Sequence, residues 1–219
     1  IYSLAENTAL EYTLTTNVSL LTSTSPLIIS LIVGILYKSE RPNKGMLMGS
    51  FIAFIGVGCV IFNSSFNLQV RPLGDVLSIL AAFSWAIYSL VLRKLNVVYD
   101  LWFITRKTFF YGVLTAIPFV LSKPLNNPLE LLGDSSILVN LLFLGIGASM
   151  IAYYLWAKII KQVGAVKANN YMYLQSIFTL IISAIAIHER ISIVGILGCC
   201  LILGGLWIGD RLSQSWRNK

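Results

Sequence analysis

Apolar residues in this chain run in long uninterrupted blocks, not in the alternation of strands or the one-sided stripes of soluble helices. Blocks fall at roughly 14–37, 45–63, 74–92, 103–121, 136–157, 165–187 and 191–209, each close to the about 20 residues that a helix needs to cross a bilayer. Residues 1–10, IYSLAENTAL, read as the end of one more. In lipid only helices and closed barrels satisfy their own backbone. These blocks are too long and too evenly apolar for barrel strands, so the pattern predicts an all-α membrane protein with about seven helices and a stub.

Composition agrees and charge adds a direction. Hydrophobic residues make up 57% of 219 and charged residues 11%, against about 25% charge in soluble domains. If the loop at 38–44 is cytoplasmic and each block crosses once, thirteen Lys and Arg lie inside and only Arg71, Lys123 and Arg190 outside. Such an excess is the positive-inside signature. It makes 211–219 a basic cytoplasmic tail and explains the net charge of +7 without nucleic acid as a partner. The expected surroundings are a lipid bilayer. Cys59, Cys199 and Cys200 all sit in apolar blocks, where a thiol acts as a small hydrophobe. No disulfide is expected.

A shift of 149 positions lays Glu40-Arg41 on Glu189-Arg190, Gly49 on Gly198 and Gly56 on Gly205. LIISLIVGILYKSER then covers FTLIISAIAIHER, apolar on apolar. Each copy reads as helix, Glu-Arg turn, and a helix with glycines seven apart. The second copy spans 73–210 with five helices; residues 1–65 hold the last part of the first copy. On this register about 77 residues of the first copy are expected ahead of residue 1. An odd number of spans per copy inserts the copies in opposite orientations, an architecture of secondary transporters with substrate near the midplane.

These residues carry a family likeness. GDVLSILAAFSWAIYSLVLRKL (74–95), IAYYLWAKIIKQVGAVKANNYMYLQSIFTLIISAIAIHERIS (151–192), the following GILGCCLILGGLWIG, and in the first half SLLTSTSPLIISLIVGILYKSER and GSFIAFIGVG resemble the EamA family of the drug/metabolite transporter superfamily. The resemblance runs essentially end to end. It implies a ten-helix transporter built of two five-helix inverted repeats, in the plasma (bacterial inner) membrane, with substrate in a central cavity. It also implies that Glu40, Arg41, Glu189 and Arg190 are structural hairpin turns. One departure is Ser176, where relatives carry proline after Leu-Gln; Pro26 keeps it in the first copy. Its loss predicts a locally straighter helix.

The candidate chemistry is sparse. His188 is the single histidine, and a metal centre needs several ligands in defined geometry, so neither metal nor other cofactor is expected. Glu6, in IYSLAENTAL, is the carboxylate that the repeat register brings nearest to membrane depth. Charge there is costly and marks function by default, so Glu6 is the candidate for proton coupling; an interfacial position near the helix end is the alternative. Uncharged polar and aromatic groups form a second set. Ser84, Trp85 and Tyr88 stand on one block, Tyr154 on another, and Asn169, Asn170, Tyr173 and Gln175 on a third. Asn17, Thr22, Ser23 and Ser25 stand on its inverted mate. Such groups face neighbouring helices or water, not lipid. They can line a cavity, or they can form interhelical hydrogen bonds and aromatic belts. The resemblance tips Trp85, Tyr88, Tyr154, Asn170 and Tyr173 towards the cavity.

The glycines are expected to pack helices within each repeat, with a homodimer as the second possibility. The reading that follows is a secondary transporter and not an enzyme, exporting small metabolites, amino acids or amphiphiles, by alternating access. A membrane scaffold or receptor is the alternative. An intramembrane enzyme would need clustered nucleophiles or paired carboxylates, which these blocks do not supply.

Overall fold

A computed structural model describes residues 2–37, 42–62, 71–122, 135–186, 188 and 191–217. The turn residues Glu40, Arg41, Glu189 and Arg190 lie outside them. The elements are α1 (Tyr2–Tyr12), α2 (Thr15–Thr22), α3 (Ser25–Leu36), α4 (Lys44–Ile61), α5 (Pro72–Val98) and α6 (Leu101–Ser122). After them come α7 (Ser135–Leu142), which passes through a π-helical stretch at Phe143–Ile151 into α8 (Ala152–Val163), then α9 (Ala165–Tyr171), α10 (Leu174–Ala186) and α11 (Ile193–Arg217). Among the described residues five helices are long and apolar enough to cross a membrane: Thr15–Leu36, taken across a short break, Lys44–Ile61, Pro72–Val98, Ser135–Val163 and Ile193–Leu212. The block expected at 103–121 is α6, which carries Arg106 and Lys107. The block at 165–187 is interrupted.

The interruption obeys the repeat. α2 gives way to α3 at Ser23-Thr24, and α9 to α10 at Met172-Tyr173, 149 positions on. Backbone bonds tighten to three-residue spacing at both places: Thr24 N–H donates to Leu21 O and Leu27 N–H to Thr24 O, while Met172 N–H donates to Asn169 O and Gln175 N–H to Met172 O. The expectation that Ser176 straightens the second copy is therefore corrected. The break needs no proline, because Ser176 N–H turns to Tyr173 O and Met172 O, which a proline at 176 would free, takes Gln175 N–H instead. Capping repeats as well. The Asn43 side chain accepts from Met46 N–H at 2.7 Å and opens α4; Ser192 Oγ accepts from Gly195 N–H at 3.2 Å and opens α11.

The chain divides into two compact units, 1–90 with 165–219, and 91–164, the division falling within α5. In the first unit α4 and α11 meet backbone to backbone. A Cβ on Gly49 would stand 2.3 Å from Gly205 O, and one on Gly205 2.5 Å from Gly49 O. Gly56 and Gly198 face each other in the same way, at 2.6 and 2.7 Å. Gly49 maps onto Gly198 and Gly56 onto Gly205 in the repeat, so each glycine meets the counterpart of the other's partner. That reciprocity is the mark of a two-fold interface. The glycines thus pack one repeat against the other, which corrects the expectation of packing within each repeat. They are occupied inside one chain, and a second copy cannot use the same surface. Ala53, Val57, Val60 and Ile202 fill the seam with Tyr173 and Leu180. Without a hydrophobic drive between lipid-immersed helices, such close contact and dispersion hold the seam.

The second unit is held by aromatic pairs. Trp102 stacks on Tyr154 at 4.3 Å between ring centroids and Phe109 meets Tyr153 at 5.5 Å, joining α6 to α8. Asn96, buried, donates to Ala157 O at 2.9 Å. Gly164 ends α8 at φ +84°, a conformation that costs glycine nothing, with its N–H bonded to Ile160 O.

Candidate functional site

The two helix breaks and α1 line an open cavity of about 390 Å³ in the first unit. Small hydroxyl side chains crowd these segments, and they leave space where longer residues would fill it. Thr15, Thr16, Ser19 and Thr22 line it from α2, and Ser23, Ser25 and Pro26 from the first break. Across it lie Met172, Tyr173, Gln175, Ser176, Thr179 and Ser183 from the second break and α10. Tyr2 and Glu6 form the α1 wall, Val60 and Ile61 close one side, and Trp85 enters from α5.

The hydroxyls mostly bond to their own helices. Ser23 Oγ donates to Ser19 O at 2.6 Å and Ser25 Oγ to Thr22 O at 2.7 Å. Back-bonding of this kind satisfies the donor in lipid and leaves the oxygen able to accept. The aromatic wall is held more rigidly. Trp85 Nε1 donates to Asn169 Oδ1 at 3.1 Å, and its ring lies 5.1 Å from Tyr2 and 5.5 Å from Tyr88. Asn169 is fully buried and its amide donates to Ala165 O at 2.8 Å. The asparagine therefore fixes the indole through one carbonyl oxygen. Tyr2 Oη donates to Glu6 at 2.9 Å and orients the cavity's carboxylate.

The other residues of interest go elsewhere. Ser84 is half-buried on α5 and does not line the cavity. Asn17 is buried, and its amide donates to Asp75 Oδ1 at 3.1 Å beside Thr13 Oγ1 at 3.0 Å. Asp75 also accepts from Arg71 N–H at 2.9 Å, so it caps α5 while tying α2 to it. Asn170 Oδ1 accepts from Ser50 Oγ at 2.8 Å. Tyr154 belongs to the second unit, against Trp102. His188 takes φ 52° between α10 and α11. Among the described residues no group of three or more His, Cys, Asp or Glu could hold a metal ion.

A second cluster lies in a narrow recess with Asn170, Ser50, Gly49 and Gly205. Lys167 Nζ stands 2.9 Å from Asp210 Oδ1, Tyr171 Oη donates to Asp210 Oδ2, and Lys167 lies 5.9 Å from the Tyr171 ring. Sequence reasoning missed this trio and Tyr2. Lys167 and Asp210 stand at the ends of two different apolar blocks, and no motif links them. Their signal was that they close the same end of the repeat pair.

The model of the EamA-like transporter family matches residues 72–208. An "Uncharacterized transporter" of Archaeoglobus fulgidus is 30% identical over 91% of this chain and 68% of its own length. A "Probable amino-acid metabolite efflux pump" of Escherichia coli is 24% identical over 86% of this chain and 64% of its own length. The chain thus spans about two thirds of the length of these relatives. A solved crystal structure at 20% identity superposes with a TM-score of 0.80 over 97% of this chain and 72% of that one, which fixes the fold.

Proposed function

The chain belongs to the EamA-like transporter family, and from that premise we propose that the cavity between the two helix breaks is the substrate site of a secondary transporter working by alternating access. The observation that carries this is the unequal state of two equivalent places. The repeat register maps Lys167, Tyr171 and Asp210 onto Val18, Thr22 and Ile61. Thr22 and Ile61 line the open cavity, whereas Tyr171 and Asp210 are joined and paired with Lys167. One end is open and its counterpart is latched. Discontinuous helices around a fixed midplane site are the usual apparatus for exchanging those states.

With the C-terminus in the cytoplasm, as the charge bias suggests, the latch closes the cytoplasmic end and the cavity faces outward. Trp85, Tyr173 and Ser23 then touch the solute. Tyr88 supports Trp85, and Asn17, Asn170, Ser84 and Tyr154 belong to the helix contacts that move with the cycle. Glu6 is the group that carries a coupled proton. Tyr173 is buried to 2% exposure and its hydroxyl has no hydrogen-bond partner among the described residues. An unpaired buried hydroxyl is costly, which suits a residue whose partner belongs to the other state. The efflux name of the Escherichia coli relative supports export of small metabolites, amino acids or amphiphiles.

The test is transport in vesicles. Protein reconstituted with labelled amino acids inside should accelerate their release under an imposed proton gradient, and Trp85→Ala should slow it. Release at the rate of empty vesicles for every amino acid and amphiphile tried would contradict the proposal.

A further inference from the structure

The charge inventory of the cavity is one-sided. The chain as a whole is basic, with sixteen Lys and Arg against nine Asp and Glu. Yet among the described residues that line the cavity there is one carboxylate, Glu6, and no Lys, Arg or His. A cavity in a membrane protein is surrounded by low dielectric, so a single fixed charge decides which ions enter without a large desolvation cost. An anionic solute would meet Glu6 with no lining cation among the described residues to neutralise it. A cation would meet its counter-ion.

The aromatic wall adds a second reason. Tyr2 bridges the two parts: its hydroxyl binds Glu6 at 2.9 Å and its ring lies 5.1 Å from the Trp85 ring, at 53° to it. Indole and phenol faces attract cations, most strongly where water is excluded. Trp85 is held in place by Asn169 and flanked by Tyr88, so the wall is formed before any solute arrives. Opposite it stands a wall of hydroxyls and an amide, which accommodates polar groups of either kind and sets no charge.

On the reading of this cavity as the substrate site, we propose that it selects solutes bearing a cationic nitrogen, an amine or quaternary ammonium on an apolar or aromatic body, with the nitrogen between Glu6, Tyr2 and Trp85. A carboxylate on the solute is not required for recognition.

The test is equilibrium binding of three solutes of one shape to the protein in nanodiscs: phenethylamine, 2-phenylethanol and 3-phenylpropionate. Phenethylamine should bind about ten-fold or more tighter than the other two at neutral pH. Glu6→Gln should remove that advantage and leave 2-phenylethanol unchanged. Glu6→Asp should restore much of it, and Tyr2→Phe should lose about three-fold by freeing the carboxylate. Equal binding of 3-phenylpropionate and phenethylamine, or an unchanged phenethylamine affinity in Glu6→Gln of unchanged thermal stability, would overturn the proposal.

Trp85→Ala separates the two readings. If it weakens all three solutes while Glu6→Gln weakens none, the cavity stands and the cation preference falls. If neither variant affects any solute, the cavity itself is not the site.

Discussion

Two places in the first unit share one backbone and differ in side chains. Around Lys167, Tyr171 and Asp210 a helix start, a helix break and the C-terminal part of α11 are tied by an ion pair and a tyrosine hydroxyl. Around Val18, Thr22 and Ile61 the equivalent elements meet without charge, and two of the three residues line a cavity. The comparison teaches that a repeat supplies the same break twice, while on the proposed cycle a few polar side chains set which copy is shut. The glycine seam belongs to both copies and has no preference; the latch belongs to one.

The largest effect should come from what the two places share. Gly49→Val and Gly205→Val each drive a side chain against a backbone oxygen, at 2.3 and 2.5 Å for the first carbon alone. Neither helix can yield there without separating, so each should cost several kcal/mol, about 3 or more. Thermal unfolding in detergent should show comparable losses for both variants. A large loss for one and none for the other would break the reciprocity of this contact.

The latch comes next. Asp210→Asn removes the charge that both Lys167 and Tyr171 hold. The pair is 30% exposed on each side, so its contribution is held to about 1–2 kcal/mol, or about ten-fold in the ratio of the two states. Lys167→Met should act through the same contact. Together the two substitutions should cost about what either costs alone, and a simple sum would place the residues in separate devices. Tyr171→Phe removes a single hydrogen bond to the carboxylate and should shift the ratio about three-fold. Apparent substrate affinity measured from each face of the membrane reads all three, and the two faces should move in opposite directions.

The smallest effect should be Tyr173→Phe. It deletes a buried hydroxyl without a partner among the described residues, so thermal stability should stay the same or rise by up to about 1 kcal/mol. A clear loss of stability would show that the hydroxyl is already paired in this state.

Much of this arrangement was legible in the sequence because the membrane makes a simple demand. Long apolar blocks become helices, Glu-Arg turns and glycines seven apart expose the repeat, and polar residues inside apolar blocks stand out, Ser23, Trp85 and Tyr173 as candidates for a cavity and Glu6 for proton coupling. What the pattern does not give is direction around each helix. Asn17 turns to Asp75 and Asn170 to Ser50, and no periodicity distinguishes those from residues facing the cavity. Lys167 and Asp210 were harder still. They are 43 positions apart and each is ordinary at a membrane boundary, so only the folded chain brings them together. The glycine register carried the repeat but not the partner, since the same spacing serves contacts within a copy or between copies.

The most direct test of alternating access between an open and a latched end is thiol labelling from both faces. In protein whose Cys59, Cys199 and Cys200 are replaced by Ala, single cysteines would be placed at Thr179 on the cavity and at Ser50 in the latched recess. The account predicts rapid labelling of Thr179→Cys from the outer face and little labelling of Ser50→Cys from the cytoplasmic face, with Asp210→Asn reversing the order. Equal labelling of both positions, indifferent to Asp210→Asn, would contradict it.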